Sequence, residues 1–207
     1  MELISNRENP QQLRSRERVE VVLSAAKKIL GEDGYSKLTL SAVCEIAGVK
    51  QTSIYRYWPN KEALLTSIAD AFETEFTAEL AKIEDIAFDA DWREVQSVLL
   101  SGLADFCEAN PWVYSGQTAI RATKPLHPRL DQLLSYFAAR YGHLLKIGGL
   151  GVRGEEEVVV TRTYTEILAS FMYALEFANH NEQDIKAISQ RYMDVIVCYL
   201  SPMMQED

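Results

Sequence analysis

Apolar residues recur every three or four positions along almost the whole of this 207-residue chain. That period admits packed amphipathic helices and little else. The one β-branched cluster, Val158-Val159-Val160-Thr161, is followed at once by helical spacing. A first helix is predicted over residues 14–30, with Val19, Val22, Ala25, Ala26 and Ile29 on its inner face and Gly31 and Gly34 ending it. Residues 41–47 and 51–57 read as two short helices separated by Gly48, and Val43, Ile46 and Ala47 as the inward face of the first. A longer helix runs from 61 to about 83 on the stripe Leu64, Leu65, Ile68, Phe72, Phe76 and Leu80. Further helices are predicted over 92–109, 112–122, 130–147, 155–179 and 182–200, with Pro125 and Pro128 bracketing a turn and Asn181 and Asp184 as an N-cap pair. With 47% hydrophobic residues, a chain this long buries roughly 70% of its unfolded surface. It needs no disulfide or metal staple.

Several function classes drop out. Cys44, Cys107 and Cys198 are distant, odd in number and without a CxxC pair, so reduced thiols in the cytoplasm are expected. Residues 1–18 are polar and include Pro10, unlike a signal peptide. The densest apolar stretch, residues 167–178, is too short for a membrane span and contains Ser170 and Glu176. GxxxxGKS, GxSxG and HExxH are all missing. His127, His143 and His180 share no ligand spacing. The expectation is a protein that is not an enzyme and uses no cofactor or metal.

The formal net charge of −9 speaks against nucleic acid only as an average. Residues 1–61 hold ten Lys/Arg and seven Asp/Glu, a balance of +3; residues 62–207 hold 11 and 23, a balance of −12. A basic end joined to an acidic body hints at a nucleic-acid contact, although three charges are also compatible with plain solvated surface.

The segment 38–65, LTLSAVCEIAGVKQTSIYRYWPNKEALL, is the informative one. Thr39 can cap the first short helix, and Cys44 is small enough to lie under a crossing helix. Gly48 supplies a permissive turn, and Val49 anchors it. The next helix opens with Gln51, Thr52 and Ser53, all hydrogen-bond capable, while Ile54 points inward. This is the layout of a helix-turn-helix, whose second helix enters a major groove.

These residues resemble the TetR/AcrR family of transcriptional regulators. Thr39, Ile46-Ala47-Gly48-Val49, Ser53-Ile54-Tyr55, Trp58 and Asn60-Lys61-Glu62-Ala63-Leu64 stand where the family pattern has its counterparts. The likeness covers about residues 14–70. The chain departs from the pattern at Lys50, where Ser often caps the recognition helix, at Cys44 and at Tyr57. The resemblance implies an all-α fold: a flexible arm (1–13), a three-helix helix-turn-helix domain (14–61), and a helical effector-binding and dimerisation domain (62–207). Gln51, Thr52 and Ser53 would read base edges, with Gln suited to adenine. Tyr55 and Arg56 follow one turn later. Thr39, Tyr57 and Lys61 would hold phosphates, and Ser41 and Lys50 complete the DNA-binding set. Tyr55, Tyr57 and Trp58 can alternatively be core, most of all Trp58. Arg7, Arg14, Arg16 and Arg18 either trail along phosphates or form a solvated helix start.

From residue 92 onward there is no motif. Residues 167–178 are apolar nearly all round, which implies burial on two sides. Ile185, Ile188, Tyr192, Val195, Ile196 and Tyr199 make a stripe on the last helix. The last two helices therefore fit a homodimer interface, or alternatively intrachain core. Candidate effector contacts are Phe106, Trp112, Tyr114, Arg121, Phe137, Tyr141, Tyr164, Phe171 and Met172, with Tyr136, Arg140, His143 and Glu176 as further members. The acidic body suggests a cationic effector. The resulting expectation is a homodimeric repressor, bound to a palindromic operator in double-stranded DNA and released when a small molecule occupies the body. The alternatives are an activator of the same fold and a helical interaction or scaffold protein without DNA contact.

Overall fold

The computed structural model describes residues 10–86, 91–178 and 181–204. Among them are nine α-helices and no strand: α1 Pro10–Glu32, α2 Leu40–Ala47, α3 Gln51–Tyr57, α4 Lys61–Ile86, α5 Trp92–Ala109, α6 Trp112–Ala122, α7 His127–Ile147, α8 Glu155–Leu175 and α9 Glu182–Leu200. Most of the arm expected over 1–13, Arg7 included, lies outside the described residues.

The first three helices pack as a unit because each gives one apolar stripe to a shared core. α1 contributes Val22, Ala25, Ala26, Ile29 and Leu30; α2 contributes Leu40, Val43 and Cys44; α3 contributes Ile54. Ile46 departs from expectation: it is 47% exposed. α2 is barely two turns long, and Leu40, Val43 and Cys44 settle which face turns inward. Ile46 then lies roughly 200° around the helix from Cys44, on the outer side. α1 also passes through Gly31 to Glu32 before stopping.

α4 is the shared element. Leu64, Leu65 and Ile68 are buried near its start, and Phe76, Leu80 and Ile83 deeper in the body. Polar contacts fix it to α7. Arg129 Nε donates to Asp70 at 2.9 Å, and its Nη2 donates to Glu73. Arg140 grips Glu84 bidentately at 2.9 and 2.6 Å, and the Thr77 and Tyr136 hydroxyls lie 3.1 Å apart. α7 begins at His127, three residues earlier than expected, with Pro128 in its first turn. There the missing N–H has no partner to lose.

α7 and α8 approach closely at Gly142, where an added Cβ would stand 2.9 Å from Thr161 Cγ2. α8 ends at Leu175 and passes into a 3-10 turn, Glu176–Ala178. The Val158 cluster is helical. Asn181 caps α9 through the Gln183 N–H at 2.9 Å.

Candidate functional site

Thr39 Oγ1 accepts the Ala42 N–H at 3.1 Å and caps α2. Gly48 closes α2 in the left-handed region, φ 64°, and its N–H returns to Cys44 and Glu45 carbonyls. The chain then reverses into α3. Lys50 occupies the cap position with no side-chain hydrogen bond to the helix, since an ammonium cannot accept an N–H. The first N–H groups of α3 therefore lack a side-chain acceptor at that position.

One stripe of α3 is exposed: Gln51, Thr52, Tyr55 and Arg56, with Tyr55 50% exposed. Ser53 and Tyr57 are half-buried, and Ile54 anchors the opposite side. The Gln51 amide donates to Ser41 Oγ at 3.1 Å, which ties the start of α3 to α2. Arg56 Nη2 donates to the Tyr57 hydroxyl at 3.0 Å, and its guanidinium lies 5.1 Å from that ring's centre. Arg56 and Tyr57 thus form one polar edge. Trp58 is core: it is buried, and its Nε1 donates to Ser67 at 2.9 Å.

Lys61 Nζ donates to the Tyr35 carbonyl at 3.1 Å and lies 3.6 Å from the Tyr35 ring centre. Asn60 Oδ1 accepts the Ala63 N–H at 2.8 Å and starts α4. Tyr35 carries no motif signal, yet it joins three elements, because its hydroxyl also meets Thr123 Oγ1 at 3.3 Å.

A cavity lies between α4, α6, α7 and α8. Its walls include Phe72, Phe76, Trp112, Phe137, Tyr141 and Met172, with Arg121 also in the lining. Five of the expected effector contacts, Trp112, Arg121, Phe137, Tyr141 and Met172, therefore meet here. The unfilled space is about 60 Å³, room for a few waters.

Four other expected contacts do not line it. Phe106 stands behind, tilted against Phe76 and edge-on to Phe72. The buried Tyr164 hydroxyl donates to Gln96. Phe171 packs on Tyr192, and Tyr114 shares a buried hydrogen bond with Cys107. Among the further members, Arg140 is held by Glu84, His143 lines a separate groove between α7 and α8, and Glu176 is exposed. Carboxylates are missing from the cavity lining, so the acidic total does not extend into it. Phe72 and Phe76 were legible only as core stripe on α4. Burial pushes the Cys107 thiol up to about 12 and raises the Tyr141 and Tyr164 phenols. All three stay protonated at neutral pH.

Among the described residues, no helix is long and apolar enough to cross a membrane. Likewise, no group of three or more His, Cys, Asp or Glu is placed to hold a metal.

Together these features define a class: a helix-turn-helix protein whose recognition helix is presented by a larger helical body. Residues 22–68 match the sequence model of the bacterial regulatory proteins of the tetR family. The chain is 33% identical over 67 residues to the DNA-binding transcriptional repressor TetR of Mycobacteroides abscessus, covering 32% of this chain and 35% of that one. It is 31% identical over 111 residues to the class A tetracycline repressor protein from transposon 1721 of Escherichia coli, covering 53% and 48%. These alignments thus span about a third and about half of the relatives' lengths. The fold matches a TetR transcription regulator of Haloarcula marismortui with a TM-score of 0.70 at 18% identity, over 92% of this chain and all of that one. Residues 22–68 thus carry the helix-turn-helix signature of the tetR family, and the chain shares the fold of solved TetR-family regulators.

Proposed function

We propose that the chain is a ligand-responsive repressor acting as a homodimer on a palindromic operator. Residues 14–61 form its DNA-binding domain and residues 62–207 its effector-binding and dimerisation domain. The exposed stripe of α3 carries this reading: four polar or amphipathic side chains face outward, over an apolar side that holds the helix in place. Gln51, Thr52 and Ser53 read base edges, and Tyr55 and Arg56 extend the contact along the groove. Thr39, Ser41, Lys50, Tyr57 and Lys61 hold the phosphates. Lys61 also opens α4, where backbone N–H groups favour an anion.

The homodimer forms through α8 and α9. On α9 only Ile196 and Leu200 are buried, while Val195 is 50% exposed. Ile185, Ile188, Tyr192 and Tyr199 are half-buried against the core, and a helix whose apolar stripe is only partly covered is suited to a partner across a two-fold axis. Two recognition helices then meet half-sites about one DNA turn apart. A small molecule in the cavity displaces walls contributed by α4, α6 and α7. Because α4 starts directly after the recognition helix, its movement changes the separation of the two reading heads. Release follows if the effector binds the splayed state more tightly.

Selection of bound sequences from a randomised duplex pool tests this reading. The expected product is an inverted repeat with half-sites about one turn apart. A selected pool with no repeat, or no enrichment at all, contradicts it.

A further inference from the structure

We infer that Tyr35 is a positioning residue for the DNA contact: its ring and carbonyl hold the Lys61 ammonium ready for a backbone phosphate. The inference rests on Lys61 being a phosphate contact. A lysine is a point charge on a flexible four-carbon stem, and a loose one must be ordered when it meets its partner. Here that ordering is already done. Lys61 Nζ donates to the Tyr35 carbonyl at 3.1 Å and stands 3.6 Å from the centre of the Tyr35 ring, well inside cation–π range. Both partners are neutral. Lys27, Lys82 and Lys146 each pair with a carboxylate, whereas Lys61 pairs with none among the described residues. Its charge is therefore oriented without being cancelled. An ammonium carries three N–H donors, and the carbonyl takes one. Lys61 is half-buried and opens α4, just beyond the end of the recognition helix at Tyr57.

Tyr35 is itself fixed. It opens a short 3-10 turn, Tyr35–Lys37, directly after Gly34 at φ 77°. At its far end the hydroxyl reaches Thr123. Thr123 Oγ1 spends its one hydroxyl proton on the Ala119 carbonyl at 2.6 Å, so at 3.3 Å it accepts from the Tyr35 hydroxyl. Thr123 caps the C-terminus of α6, and it is buried. The ring is thus tied to the body at its hydroxyl while Lys61 stands against it from the headpiece side.

Two measurements on the full chain test this. The first is NMR of the DNA-free protein with labelled lysine ε-carbons. An aromatic ring shifts protons over its face upfield, so the Lys61 ε-methylene signal, identified by its loss in Lys61→Ala, should lie upfield of those of exposed lysines. Tyr35→Phe should keep that shift, and Tyr35→Leu and Tyr35→Met should abolish it. The second is affinity for the selected operator. Lys61→Ala should weaken binding and make the salt slope shallower by about 0.9 per subunit. Tyr35→Leu and Tyr35→Met should weaken binding roughly two- to tenfold per subunit, while Tyr35→Phe, which keeps the ring, should bind close to the unaltered chain. In the Lys61→Ala background, Tyr35→Leu should cause no further loss. An unshifted Lys61 signal, full affinity in the Leu and Met variants, a Phe variant as weak as those two, or losses that add to that of Lys61→Ala would each overturn the inference. Lys61→Ala keeps the two readings apart. If it leaves affinity and slope unchanged, the phosphate reading of Lys61 fails and takes the role of Tyr35 with it. If it binds weakly while the Tyr35 variants bind normally, only the role of Tyr35 fails.

Discussion

The Lys27 ammonium lies 4.4 Å from the centre of the Trp112 ring while also pairing with Glu75 on α4. Trp112 is a wall of the cavity, so a headpiece helix touches the ring that an occupant would displace. The Lys27 side chain is only 17% exposed, which strengthens a cation–π contact to about 1 kcal/mol. In a double-mutant cycle, Lys27→Met and Trp112→Leu should therefore couple by about 1 kcal/mol in chemical denaturation. Additive losses would mean the contact is incidental. Lys27→Met should also reduce the effect of cavity occupancy on DNA affinity, by roughly 0.5–2 kcal/mol.

The turn at Gly48 depends on conformation, not on space. Its φ is 64°, and a Cβ there would meet nothing within 4 Å. Gly48→Ala should cost about 1–2 kcal/mol and Gly48→Asn less, because Asn tolerates the left-handed region. Equal losses in thermal unfolding would point to a packing cause instead.

Neighbours on α3 should separate stability from binding. Ile54→Ala empties a buried site and should destabilise by about 2–5 kcal/mol. Tyr55→Ala removes a half-exposed ring, so it should leave unfolding within about 0.5 kcal/mol and weaken DNA binding. A Tyr55 variant that unfolds as readily as the Ile54 variant would assign Tyr55 to the core.

High pH should destabilise the fold. Cys107 is raised to about 12 from an ordinary thiol value near 9, and burial also raises Tyr141 and Tyr164. Above pH 9 the unfolded chain loses the Cys107 proton while the folded chain keeps it. The unfolded state then binds fewer protons and stability falls, by about 1.4 kcal/mol per pH unit for each such group. The tyrosines add to this above pH 10. Melting temperature measured from pH 8 to 11 should drop from pH 9 upward, and a flat profile would contradict the burial of these groups.

Local chemistry and spacing made much of this fold legible in the sequence. The Gly48 turn, the Thr39 cap and the limits of α3, α5, α6 and α9 follow from strong local signals. Ile46 did not, because in a two-turn helix the neighbours decide which side faces in. Pro128 looked like a breaker but sits where a helix tolerates proline. The TetR resemblance located the recognition helix, whose exposed stripe could be read from Gln51, Thr52, Tyr55 and Arg56. The cavity was only half legible. Aromatic content cannot separate a wall such as Phe137 from a packed neighbour such as Phe106, and Lys27 and Tyr35 gain their roles from helices far away in sequence.

Polar contact between α3 and DNA is the central claim, and a salt titration of operator binding tests it most directly. Fluorescence anisotropy of the full chain on the selected operator should show affinity falling with salt, with a log–log slope of about −0.9 per phosphate neutralised. The combined variant Gln51→Ala, Tyr55→Ala, Lys61→Ala should bind at only the non-specific level, and with a shallower slope, while circular dichroism shows an intact fold. Affinity that ignores salt, or that survives the triple substitution, would contradict the account.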